Sequence, residues 1–136
     1  MTDPFPITIY HNPECGTSRN ALAMIEAAGY SPVVVDYRKV GWTLNQLYTL
    51  LGAMGASPRD ILRDKGTSAA ERGLLDPSAS DLAILQAMLV DPLLVNRPIV
   101  VTPKGTRLCR PSEVVLELLD RQPDDFTKED GEIVRR

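Results

Sequence analysis

At 136 residues and 15.0 kDa, the chain has the size of one ordinary domain and can bury a core without disulfide staples. Hydrophobic residues at 43% and charged residues at 24% are typical of a soluble globular protein. A net charge of −3 gives no overall basic field for nucleic acid or an anionic membrane, so any anion chemistry has to come from a local cluster of positive groups.

The opening MTDPFP carries an early Asp, two prolines and no basic residue ahead of an apolar run, so a signal peptide is not expected. Ile7–Tyr10 is a short β-rich run. From Cys15 the pattern changes to a helical stripe of Ala21, Leu22, Ile25 and Ala28, with Gly29 placed just past the helix end. The β-branched run VVVDY (33–37) then reads as a buried strand. Strand, helix and strand in so short a space make a βαβ unit with parallel strands.

Residues 42–91 read as a helical subdomain without a strand signal. Capping-box candidates follow one another: Thr43 with Gln46, Ser57 with Asp60, Ser68 with Glu71, and Ser78 with Asp81. Pro58 stands at the favoured first helical position. Apolar stripes follow the first and last caps, Leu44, Leu47, Leu51 and Met54, then Leu82, Leu85 and Leu89. The most apolar region, LAILQAMLVDPLLV (82–95), is broken by Gln86, Asp91 and Pro92 and cannot span a bilayer.

Strands return in PIVVTPKGTRLC (98–109), where Pro103-Lys104-Gly105 suits a type I turn and the whole reads as a hairpin. Pro111 and Ser112 open a closing helix with Val114, Val115, Leu118 and Leu119 on one face. FTKEDGEIV in the charged tail is a candidate short helix. The order βαβ, helical insertion, ββα fits an α/β fold, a four-stranded mixed sheet of the thioredoxin or glutaredoxin type. We expect a single domain over 1–136, with the insertion at about 42–94 between the second and third strands and the tail at about 122–136. Such a topology places a cis-proline before the third strand, here at Arg97-Pro98.

Cys15 is the strongest chemical candidate. It follows a strand through a Pro-containing turn and sits at the mouth of a helix, whose unpaired amides and partial positive charge favour a thiolate. The position three residues on, where a C-x-x-C motif has its second cysteine, holds Ser18. His11, the lone histidine, can favour the thiolate or simply bond backbone in the turn. Thr17 and Ser18 can cap the helix, and Ser18 can also donate to the sulfur. Arg63, Arg97 and Arg110 fall near element ends, and guanidinium groups match tetrahedral oxyanions bidentately. On a regular strand Cys109 and Arg110 point to opposite faces, so Cys109 is expected to pack rather than to react. Two cysteines far apart make neither a secreted disulfide framework nor, with one histidine, a metal site. The spacing excludes Cys-x5-Arg phosphatase chemistry, and no phosphate-binding Gly-rich loop is present. A cytoplasmic protein with reduced thiols is expected.

The stretches YHNPECGTSRN (10–20), VNRPIVVTPKGTRLCRPSEVV (95–115) and FTKEDGE (126–132) closely resemble the glutaredoxin- and glutathione-coupled arsenate reductases of bacteria. The resemblance runs from Ile7 to about Ile133 and implies a thioredoxin-like fold with a helical insertion. It implies that Cys15 is the nucleophile, that His11 and Ser18 lower its pKa, and that Arg63, Arg97 and Arg110 bind the oxyanion together with the amides of Gly16 and Thr17. Arsenate, glutathione as co-substrate and glutaredoxin are then the partners, with no bound cofactor, metal, nucleic acid or membrane, and a monomer is expected. Glu14 departs from the small residue several relatives carry beside the nucleophile, and it is expected to face solvent. Two other readings stay open: a redox-responsive regulatory binding module, and a monothiol glutathione-dependent disulfide reductase of the same fold.

Overall fold

The computed structural model of the chain describes residues 4–135. Residues 1–3, part of the segment considered above for a signal peptide, and residue 136 at the end of the tail lie outside the described residues. The chain forms two compact units: residues up to Asp36 together with Arg97 onward, and the intervening Tyr37–Asn96.

The first unit contains β1 (Thr8–His11), α1 (Gly16–Ala27), β2 (Val33–Asp36), β3 (Ile99–Thr102) and β4 (Gly105–Leu108), and it closes with a 3-10 helix, Ser112–Leu118. The four strands form one mixed sheet in the order β2-β1-β3-β4. β1 runs parallel to β2 and antiparallel to β3, and β3 pairs with β4 as a hairpin across Pro103-Lys104. This is the thioredoxin-type arrangement that the order of elements predicts.

Period-2 alternation sends Ile7 and Ile9 to one face of β1, and Val100, opposite Ile9 in register, joins them from β3. Onto that face α1 lays Ala21, Met24, Ile25 and Ala28, and the closing helix lays Val115, Leu118 and Leu119. Ile25 is fully buried in this cluster. Truncating it leaves a void that packed neighbours cannot fill, so Ile25→Ala is expected to lower stability by about 2–5 kcal/mol, read as an earlier urea midpoint.

Some local expectations are corrected. The VVVD run forms a strand, but an edge strand: Val33 and Val34 are 62% and 47% exposed rather than buried. The closing helix is 3-10 rather than α-helical. The tail forms a small hairpin, β3–β4 being followed by β5 (Phe126–Thr127) and β6 (Ile133–Val134), where a helix was expected. Its turn contains Asp130-Gly131, with Gly131 at φ +91°, a conformation that turns the chain and that a helix does not use. Both Arg97-Pro98, as expected, and Arg110-Pro111 are cis.

The second unit contains α2 (Tyr37–Val40), α3 (Leu44–Met54), a 3-10 turn at Pro58–Ile61, α4 (Asp81–Val90) and a further 3-10 turn at Pro92–Leu94. Thr43 and Gln46 form the predicted reciprocal capping box of α3. The Asp60 carboxylate accepts from both the amide and the hydroxyl of Ser57. The other two caps are corrected. Ser68 opens no helix: its hydroxyl donates to Asp91 and accepts from Arg72, and Gly73 stands at φ +73°. Ser78 is held by the Asp76 carboxylate, and Ser80 caps α4 instead. The buried stripe of α4 is accordingly Ile84, Leu85, Ala87 and Met88, while Leu82 is exposed. Among the described residues, no helix is long and apolar enough to cross a membrane.

Candidate active site

The site grows out of the strand-to-helix turn of the first unit. His11 ends β1 on the face that carries Ile7 and Ile9, which aims it at α1. Ser18 faces inward from the first turn of α1, in line with Ala21 and Ile25. The two meet: His11 Nδ1 and Ser18 Oγ lie 2.6 Å apart, and the same hydroxyl accepts from the Asn12 amide at 3.1 Å. His11 is 5% exposed and Ser18 fully buried, so these bonds satisfy polar groups that water does not reach.

Asn12 was not singled out from the sequence, yet it organises the turn. Its side-chain oxygen accepts from the Glu14 amide at 2.9 Å, and its carbonyl accepts from the Cys15 amide at 3.0 Å. The readable signal was Asn before Pro, a turn-initiating pair whose amide side chain bonds backbone two residues on. The result sets Cys15 at the N-cap of α1, in extended conformation, with Gly16 and Thr17 as the first helical residues. Glu14 is exposed, as expected.

Cys15 is 8% exposed and free of any disulfide. Arg110 brings Nη1 to 3.8 Å from the sulfur while donating to the Arg97 carbonyl at 2.8 Å. Burial opposes ionisation of the thiol. Hydrogen bonding from Arg97, the Ser18 backbone amide and Arg110, with the charge of Arg97, outweighs it and lowers the pKa from 9.0 to about 7. The sulfur makes no capping bond of regular geometry, so the Ser18 amide acts on it as a nearby dipole. Alkylation of Cys15 by iodoacetamide should therefore be half-maximal near pH 7, rising above and falling below, because only the thiolate reacts.

Cys109 behaves oppositely. It lies just beyond β4, fully buried within the apolar cluster of the first unit, and burial pushes its pKa up to about 12. Its neighbour Arg110 reaches Cys15, so the two side chains part as expected, although both residues lie beyond the end of β4, where the Arg110 amide turns back to the Leu108 carbonyl. Arg63 belongs to the second unit. There its guanidinium donates to the Lys65 carbonyl and the Asn96 side-chain oxygen, both at 3.1 Å. Among the described residues, no group of His, Cys, Asp and Glu side chains is arranged to hold a metal ion.

The chain is similar to known proteins in sequence and in fold. Residues 10–118 match the model of the ArsC family. The chain belongs to the ArsC family. It is 59% identical to "Arsenate reductase ArsI2" of Synechocystis, covering 94% of this chain and 92% of that protein. It is 52% identical to the arsenate reductase of Escherichia coli K12 over the same shares. Among solved structures, the arsenate reductase of Vibrio cholerae superposes with a TM-score of 0.80 at 37% identity, covering 86% of this chain and all of that one. The ArsC match includes the whole β1–α1 turn and the segments that bear Arg97 and Arg110.

Proposed function

We propose that this ArsC-family protein is an arsenate reductase in which Cys15 forms a covalent bond to arsenic and thiols from solution complete the reduction. The observation that carries the reading is the Cys15 sulfur at the helix mouth, with Arg97 and Arg110 both lowering its pKa to about 7. The arginines that favour the thiolate also suit a tetrahedral oxyanion. The names borne by relatives at 52–59% identity support the choice of arsenate.

In this scheme arsenate docks against Arg97, Arg110 and the amides of Gly16 and Thr17, and Arg63 is kept as a ligand on the strength of the family resemblance. The Cys15 thiolate attacks arsenic, an S–As bond forms, and one arsenate oxygen leaves as water with protons taken from solvent. The thiolate of glutathione displaces a second oxygen in the same way. A glutaredoxin thiolate then attacks the glutathione sulfur. A disulfide forms, the As–S electron pair stays on arsenic, and arsenic passes from +5 to +3. Water replaces Cys15 and arsenite leaves. His11 and Ser18 are assigned to shaping the turn and the thiol pKa. The scheme needs no bound cofactor, and it belongs in the cytoplasm, where glutathione keeps thiols reduced. A monomer suffices for it.

The test is a coupled assay of the folded protein with arsenate, glutathione, glutaredoxin and glutathione reductase, following NADPH loss. Arsenate-dependent consumption is expected. Its absence overturns the arsenate reading, and consumption without glutaredoxin overturns the assigned order of thiols.

A further inference from the structure

Two residues in the quoted motifs have no part in the scheme above: Arg19, from the CGTSRN turn, and Glu129, from FTKEDGE. Arg19 stands on the first turn of α1 and makes a three-way contact. Its Nη1 donates to the Pro13 carbonyl at 2.8 Å, while Nε and Nη2 donate to the two carboxylate oxygens of Glu129 at 2.8 and 2.9 Å. Glu129 is well placed to hold it. Its backbone amide donates to the Asn20 side chain at 3.1 Å. The next residue back, Lys128, is 9% exposed, with Nζ 3.0 Å from Glu113 and 3.4 Å from Glu132. The hairpin is thereby pinned, and it brings its carboxylate to the mouth of α1. A Cβ at Gly16, the residue after Cys15, would meet Arg19 at 3.7 Å and Glu129 at 3.9 Å.

We propose that Arg19, held by Glu129 of the C-terminal hairpin, is a positioning residue that fixes the 12–15 turn and so holds the Cys15 sulfur against Arg97 and Arg110. A bidentate guanidinium–carboxylate pair has a defined orientation, and the third contact passes that orientation to Pro13 and the backbone that sets the sulfur. The inference rests on Cys15 being the reactive thiol of the proposed reaction. Arg19 also acts on the site as a charge, since the Cys15 thiolate and Glu14 both add to the raised pKa that Glu129 chiefly gives it. The remaining groups around the sulfur are Arg97, Arg110 and the Ser18 amide, with His11 behind Ser18. Glu129 thus both orients Arg19 and offsets its charge.

The pH dependence of Cys15 alkylation by iodoacetamide, resolved from Cys109 by peptide mass spectrometry, tests this without turnover. The wild-type midpoint tests whether Cys15 is a reactive thiol at all, and the differences between variants test the inference. Arg19→Gln removes clamp and cation and leaves the Glu129 carboxylate at the helix mouth. Its midpoint should rise by about 0.5 pH unit, a roughly threefold loss of thiolate below the midpoint. Arg19→Lys restores the charge without the fork and should recover only part of that shift. Glu129→Gln keeps the Arg19 cation but loses the bidentate hold, so its midpoint should rise in the same direction as that of Arg19→Gln, whereas removal of the carboxylate acting by charge alone would lower it. An unchanged midpoint in Arg19→Gln, or an unchanged or lowered midpoint in Glu129→Gln, overturns the proposal. Thermal melting checks the fold of each variant, and if Arg19→Gln does not fold, the sign of the Glu129→Gln shift decides.

Discussion

Cys15→Ser is expected to abolish arsenate turnover, by at least about 10³-fold, while leaving the fold intact. The substitution keeps size and hydrogen-bonding capacity at the N-cap, where serine is a favoured residue, so α1 should form as well as before. What disappears is the thiolate. A serine hydroxyl beside Arg97 and Arg110 stays protonated at neutral pH and cannot form the S–As bond. Circular dichroism should match the wild type while NADPH loss in the coupled assay falls to background. Retained turnover would show that the covalent step has been assigned to the wrong atom. Cys109→Ala is the matching control. Its thiol is fully buried and burial pushes its pKa up to about 12, so turnover should persist in the folded variant.

The second large effect is expected at Arg110. Its Nη1 contacts both the Cys15 sulfur at 3.8 Å and the Arg97 carbonyl at 2.8 Å, so one group supports the nucleophile and the backbone beside it. Arg110→Gln removes the charge that would also face the bound oxyanion. Loss of a preorganised donor to developing negative charge costs about 10²–10³-fold, and a fall in kcat/KM for arsenate of that order is expected. The alkylation midpoint should rise at the same time, because Arg110 is one of the groups that lower the Cys15 pKa. Both changes in one variant would tie thiol activation to anion binding. A wild-type midpoint and kcat/KM in Arg110→Gln would remove Arg110 from the site. Arg110→Lys restores a point charge without the planar fork and should recover the midpoint more fully than the turnover.

The elements legible in the sequence are those whose causes are local. The β1–α1 turn announced itself through a strand that stops at His11, a Pro-containing turn and a helical stripe. The β3–β4 hairpin followed from Pro103-Lys104-Gly105 between β-rich runs, and the α3 capping box from Thr43 and Gln46. Each depends on residues a few positions apart, so periodicity and turn chemistry suffice. The misread elements depended on partners farther off. Val33–Asp36 has the composition of a buried strand, but its place at the sheet edge is set by which strands pair with β1. Ser68 has the spacing of a cap, but its hydroxyl bonds Asp91 instead. The tail has a helix-like length, but Asp130-Gly131 turns it into a hairpin pinned by Lys128 and Glu113, which lie 15 residues apart.

The candidate site divides in the same way. Sequence alone determined that Cys15 stands at the mouth of α1 and that Ser18 stands where a resolving cysteine would be, because the change from strand to helix period dictates these. That Cys15 itself, rather than Thr17 or Ser18, occupies the N-cap was decided by the structure. Only the tertiary structure decided that the Ser18 hydroxyl turns to His11 while its amide acts on the sulfur. The fold likewise brings Arg110 to Cys15 across 95 residues and Glu129 to Arg19 across 110. No local pattern encodes such meetings. They arise when the sheet order sets β3 beside β1, which places the arginines that lower the pKa of a buried thiol to about 7, and when the buried Lys128 fixes the tail.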